Sequence, residues 1–196
     1  MKQFFKDAKG HLMTGIGYML PLIIGASLVV AIPKLIALCF GITSLDPYAD
    51  GTGVWHIMKL IENVGWTGIG MVNTVLAGFI AYSIADKPAI GAGFIGGAVA
   101  SSTYAGFLGA VIAAFIAGYT VKWAKKHIHL PESMGSVMPL VVCPLIATGF
   151  VAIIMGVILA TPLAAINTWL VNWISSMCQN QSSQLVMAMI IAPRII

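Results

Sequence analysis

Polar residues are confined to a few short stretches of this chain, and the apolar runs between them are long. Residues 12–32 carry no charge, and a helix needs roughly 20 such residues to cross a bilayer. Pro33 and Lys34 close that run. A second apolar run covers about 65–85, a third about 89–104, a fourth about 106–121 and a fifth about 137–160. A sixth begins near Leu185 and reaches only Ile196. The third and fourth runs are joined almost without a polar linker. The third is short, so it also suits one half of a re-entrant hairpin. Lipid tolerates such a half only where it is buried in protein or lines a watery cavity.

Two further stretches have helical period without being apolar all round. Val54, Ile57, Met58, Ile61 and Val64 share one face, with His56, Lys59, Glu62 and Asn63 opposite. Ile166, Trp169, Leu170, Trp173, Ile174 and Met177 form a second stripe, with Asn167, Thr168, Asn172, Ser175 and Ser176 turned away. Both read as helices on the outer membrane surface, with the tryptophans at headgroup level. Partner binding is the rival reading. The pattern as a whole predicts an all-α integral membrane protein. It has about five transmembrane helices, two interfacial amphipathic helices and one short segment of re-entrant length.

Composition supports that class. The 196 residues are 59% hydrophobic and 8% charged, where a soluble domain carries about 25% charged residues. Lys2, Lys6 and Lys9 precede the first run, and Lys122, Lys125 and Lys126 follow the fourth. The loop at 39–64 sets Lys59 against Asp46, Asp50 and Glu62. The excess of lysine places the N-terminus and the KWAKKHIH loop in the cytoplasm. The net charge of +4 is therefore a topology signal and implies no nucleic-acid partner. The first run exceeds the roughly 7–15 residues of a cleaved signal sequence, so it is read as a retained span.

The sequence PAIGAGFIGG holds a literal G-x-G-x-x-G at Gly91, Gly93 and Gly96. A dinucleotide loop would need a strand before it, a helix after it and an acidic residue about 20 positions on. Pro88 is out of place in a buried strand, and no Asp or Glu occurs between Asp86 and Glu132. The glycines read instead as a tight membrane turn and a helix-packing surface. Gly93 and Gly97 form a G-x-x-x-G, and Gly106, Ala110, Ala114 and Gly118 repeat small residues every four positions, a groove for another helix.

Asp86 and Lys87 stand at the cytoplasmic mouth of the second span. Two readings stay open: helix-end chemistry, with Pro88 in a first turn, or a polar lining of a substrate path. Asn73, within the second span, and Ser101 to Tyr104 carry the same choice between a substrate's polar group and a neighbouring helix. His127 and His129 lack further metal ligands nearby, so they belong to a basic interfacial loop. Cys39, Cys143 and Cys178 are isolated and read as packing residues. Pro139, Pro144 and Pro162 should kink or break their span. No nucleophile–base or carboxylate pair appears, so no catalytic residue, cofactor or metal site is expected.

The stretches HLMTGIGYMLPLIIGASLVVAI, SIADKPAIGAGFIGG, GFLGAVIAAFIAGY and MPLVVCPLIAT resemble the membrane subunit, enzyme IIC, of the bacterial sugar phosphotransferase system, in its fructose and fructose-like branch. The resemblance runs in order over nearly the whole chain. It implies a homodimeric, multi-pass permease of the bacterial inner membrane that passes a fructose-like sugar to a cytoplasmic IIB partner. There the sugar takes a phosphoryl group relayed from phosphoenolpyruvate through enzyme I, the histidine carrier protein and IIA. Family members are longer, and their Gly-Gly-Pro-x-Asn-Lys-like and Gly-Ile-Thr-Glu-like motifs, associated with sugar binding, are not found here. Residues 1–196 are thus expected to be the N-terminal part of a single IIC membrane domain, truncated, and no sugar-binding glutamate or histidine is carried over. Asn73, Asp86 and Lys87 are the candidate pathway residues. The alternatives are an ion-coupled secondary transporter, against which no acidic residue falls well inside a predicted span, and a non-transporting membrane interaction fragment.

Overall fold

The computed structural model describes residues 2–128 and 141–179, and among these every regular element is helical. Helix α1 (Lys2–Cys39) is 38 residues long, about 57 Å at 1.5 Å per residue. It extends the predicted first span at both ends. Pro21 and Pro33 lie inside it; each removes one backbone bond. Residues 40–53 carry a short 3₁₀ turn at Asp46–Tyr48. Helices α2 (Val54–Gly70) and α3 (Val72–Ala85) are separated by Met71 alone, whose N–H still donates to Thr67 and Gly68. They run back along α1. Gly65 and Gly68 lie on Ala26 and Val30, and Gly15 lies on Leu76 and Ile80. Lipid tails are as apolar as leucine, so close approach at small residues, not hydrophobic exclusion, holds such helices together.

The predicted 54–64 amphipathic helix is therefore not a separate surface element. It is the first part of α2, continuous with the second span. Its polar side is also turned the other way. Val54 and Val64 are exposed, while Lys59 and Glu62 are buried at 9% and 3% accessibility. Period alone marks the two faces of a helix but not which one meets a neighbour, and in lipid the apolar face is the one left outside.

The chain reverses at Asp86 into α4 (Lys87–Ser102), and again at residues 103–105 into α5 (Gly106–His127). Asp86, Tyr104 and Gly106 take positive φ of 62°, 57° and 61°. Helix α4 spans 16 residues, about 24 Å, so the third run is a continuous helix shorter than a full crossing. Helix α6 (Cys143–Ile153) passes through a π-helical turn (Ile154–Leu159) into α7 (Ala160–Gln179). The axis bends by 57° between Cys143–Leu159 and Thr161–Ser176. Pro162 sits in the first turn of α7, and the π turn precedes it; both are recognised causes of a kink. Pro144 stands at the start of α6. Pro139, His129 and the run from Leu185 lie outside the described residues.

Among the described residues, three helical segments are long and apolar enough to cross a membrane, and a fourth if the bent α6–α7 pair is one span. The core lies where α3, α4, α5 and α6 meet. It is built mainly from alanine (Ala77, Ala81, Ala92, Ala113, Ala117, Ala147), with Leu76, Ile80, Val151 and Met155 filling the gaps. Asn167 of α7 donates to the carbonyl of Tyr104 at 3.0 Å, pinning α7 to the α4–α5 turn beside Gly106.

Candidate functional site

The Asp86 reversal is built from helix-end chemistry. Its N–H donates to Tyr82, ending α3, and its carbonyl accepts from Ala89, opening α4. One residue in the left-handed region thus joins two antiparallel helices. Lys125, in the last turn of α5, donates to the carbonyl of Ala85 at 2.7 Å, and its ammonium lies 3.7 Å from the Asp86 carboxylate. A cation on the final carbonyls of a helix is favourable. It also ties the α3–α4 corner to α5.

Beside this corner is a cavity of about 680 Å³, lined by Tyr82, Asp86, Lys87, Pro88, Gly91, Lys125 and Pro144. That volume suits a small ligand. Its walls offer one carboxylate, two ammonium groups and a phenol, which can hydrogen-bond a polyol or an anion. Asp86 and Lys87 therefore share one opening. Asn73 does not join them. It lies 13 residues back along α3, about 20 Å away, and donates to Ser101 of α4 at 3.1 Å. Ser102 and Thr103 bond the carbonyl of Val99.

The glycines divide by what a side chain would meet. Gly93 and Gly97 lie on α3, where a Cβ at Gly97 would stand 2.5 Å from the carbonyl oxygen of Asn73. Gly96 faces Ala113 and Val151, and Gly118 faces Ile84. Gly91 meets nothing within 4 Å and forms part of the cavity wall. All but Gly106 and Gly118 sit inside α4, so the turn itself belongs to Asp86 and not to the glycine run. The groove at Ala110 and Ala114 is fully buried in the core.

A second polar centre, at the other end of α1, went unforeseen in the sequence. Glu62 lies 3.2 Å from Lys34 and 3.2 Å from Lys59, and accepts from the Trp66 indole at 3.0 Å. Lys59 also reaches Asp46 at 2.5 Å. The Lys34 ammonium stands 5.3 Å from the Trp66 ring centre, a cation–π distance. Hydrogen bonds from Lys59 and then Ser44 hold the Asp46 carboxyl below its ordinary value. The cluster fastens the 40–53 loop to α1 and α2. It also places a buried carboxylate near the start of the membrane-length Val54–Ala85 pair, N-terminal to the predicted second span. The available signal was local: charges at i and i+3 with a tryptophan at i+7, inside an otherwise apolar helix.

Comparison with known proteins adds to this geometry. The family model described as "Phosphotransferase system, EIIC" matches residues 13–195. The chain is 37% identical over 168 residues to the PTS system fructose-specific EIIABC component of Bacillus subtilis (strain 168), covering 85% of this chain and 26% of that protein. It is 32% identical over 188 residues to the fructose-like permease IIC component 2 of Escherichia coli (strain K12), covering 95% and 50%. It is 36% identical over 179 residues to the PTS system fructose-specific EIIB'BC component of Xanthomonas campestris pv. campestris, covering 87% and 30%. The chain thus spans from about a quarter to a half of the length of these relatives. No solved structure matches it.

Proposed function

The chain belongs to the phosphotransferase system EIIC family, and from that premise we propose that it forms part of the membrane permease that admits a fructose-like sugar for phosphorylation by a IIB partner. As a member of that family it is a multi-pass membrane protein. In this reading residues 1–196 are one part of a single IIC domain, which works as a homodimer in the bacterial inner membrane. The N-terminus and the end of α5 face the cytoplasm, because the lysines gather there. The observation that carries the reading is the Asp86 cavity. It opens at this lysine-rich end, where a sugar leaving the membrane would meet IIB, and Asp86 and Lys87 are the pathway residues it favours. Gly93, Gly96, Gly97 and Gly118 act through packing, and Asn73 through its bond to Ser101. The fused relatives, named EIIABC and EIIB'BC, support IIA and IIB as partners.

The test is sugar phosphorylation by membranes containing the chain within its full-length context, with enzyme I, the histidine carrier protein, IIA and IIB supplied. Phosphoenolpyruvate-dependent fructose phosphate should form, and Asp86→Asn with Lys87→Gln should lower its rate. No sugar phosphate above empty membranes would refute the reading. The buried Glu62 gives an ion-coupled carrier one supporting observation. Uptake that persists without the phosphotransfer proteins and collapses with an uncoupler would favour that carrier.

A further inference from the structure

Three openings in the bundle converge on Tyr119. The first, about 460 Å³, lies between α1 and α5 with Ser83 of α3 in its wall, and its polar groups come from Lys6, Asp7, His11, Thr14 and Lys122. The second, about 470 Å³, is almost wholly apolar and runs past Ala8, Phe115, Ile116, Phe150 and Ile154. The third, about 350 Å³, continues it between Thr120, Trp123 and Phe150. The Tyr119 ring stacks on Phe115, with centres 6.2 Å apart, so it belongs to the wall of the apolar groove as well as to the polar opening.

The polar part is organised. His11 Nδ1 and the Ser83 hydroxyl are 2.7 Å apart, and Ser83 donates to Thr14 at 3.4 Å. That orients the imidazole and leaves Nε2 as its other polar atom. Two ammonium groups oppose the single carboxylate of Asp7, so the opening favours an anion. It lies at the lysine-rich end of the bundle. Phe115 is seven residues deeper along α5 than Lys122, about 10 Å into the apolar layer. Charged head outside and apolar groove inside, at that separation, is the layout of a phospholipid. Basic pockets between membrane helices are known to take anionic headgroups.

We propose that this cleft binds one anionic phospholipid, with its phosphate between Lys6 and Lys122 and an acyl chain along Phe115, Phe150 and Ile154. The site is distinct from the Asp86 cavity and does not depend on the permease reading. Native mass spectrometry of the full chain in detergent, offered palmitoyl-oleoyl phosphatidylglycerol or the matching phosphatidylcholine, tests it. One phosphatidylglycerol should be retained in preference. The double variant Lys6→Gln/Lys122→Gln should weaken that retention about thirtyfold. Lys126→Gln, on the same face but outside the cleft, should leave it unchanged. Ala8→Phe, which keeps every charge and narrows the groove, should weaken retention of both lipids. Equal loss in Lys126→Gln would show diffuse surface attraction and overturn the site. Displacement by glycerol phosphate at the lipid's own concentration would show a bare anion site and overturn the lipid assignment. Retention unaffected by both cleft variants would overturn it as well.

Discussion

Adding one methyl group to α4 should have opposite effects at two glycines six residues apart. At Gly97 the new Cβ would stand 2.5 Å from the Asn73 oxygen, 2.7 Å from Thr74 Cα and 2.9 Å from Ala77 Cβ. Two of these are backbone atoms and cannot turn aside. Helices α3 and α4 must part along the seam that ends at the Asn73–Ser101 bond. Overpacking of this kind costs about 1–3 kcal/mol, and rigid backbone places Gly97 at the upper end. Alanine returns up to about 1 kcal/mol as a better helix former than glycine. The net expectation for Gly97→Ala is a loss of about 2 kcal/mol, a factor of roughly thirty in the folded-to-unfolded ratio. At Gly91 nothing lies within 4 Å of the new atom. Only the helix-propensity gain remains, so Gly91→Ala should be neutral or up to about 1 kcal/mol more stable. Denaturation of the purified chain in detergent, followed by circular dichroism, measures both. Equal losses for the two variants would refute the assignment of Gly97 to the α3–α4 contact, as would a neutral Gly97→Ala.

Lys125→Met should remove the donor to Ala85 and the cation beside Asp86; a loss of about 1 kcal/mol and faster hydrogen exchange at the Asp86 amide are expected, and unchanged exchange would refute the cap. Glu62→Leu should cost about 1–3 kcal/mol, because it strips the Trp66 indole of its acceptor, while Lys59 keeps Asp46; denaturation measures it, and a stabilised variant would show that the cluster is not structural. The Asp46 carboxyl is held below its ordinary value by Lys59. Its contribution is therefore complete above the unfolded carboxylate range and is lost only as pH falls through the lower folded value. Proteolysis within residues 40–53 should stay slow at mildly acidic pH and rise only below that range, and Lys59→Met should abolish the delay. Cleavage with the same acid profile in that variant would count against the pairing.

The sequence was most legible where length alone decides. Uncharged runs near 20 residues name membrane helices without knowledge of a neighbour, and small residues at four-residue spacing name a close contact without naming its partner. Lysines fall at the ends of runs for the same reason: a charge cannot stop midway. The roles within the glycine run were not legible. Gly91, Gly93 and Gly97 are chemically identical, and only the reversal at Asp86, which lays α4 along α3, sets the last two against backbone and leaves the first open to a cavity. The α2 faces were hidden likewise. A period of 3.6 separates Lys59 and Glu62 from Val54 and Val64, but burial of the charges required Lys34 to arrive from α1 and Asp46 from the loop.

By itself, then, the order of residues determined that this is a helical membrane chain, where its apolar segments lie, and which family it resembles. Those properties are additive along the chain. Tertiary structure decided that Asp86 and Lys87 share a cavity while Asn73 stands about 20 Å away in a helix contact, and that a carboxylate is buried in a membrane-length segment. Each depends on which helices meet and at what level, and that is set by backbone reversal and small-residue packing between positions far apart in sequence.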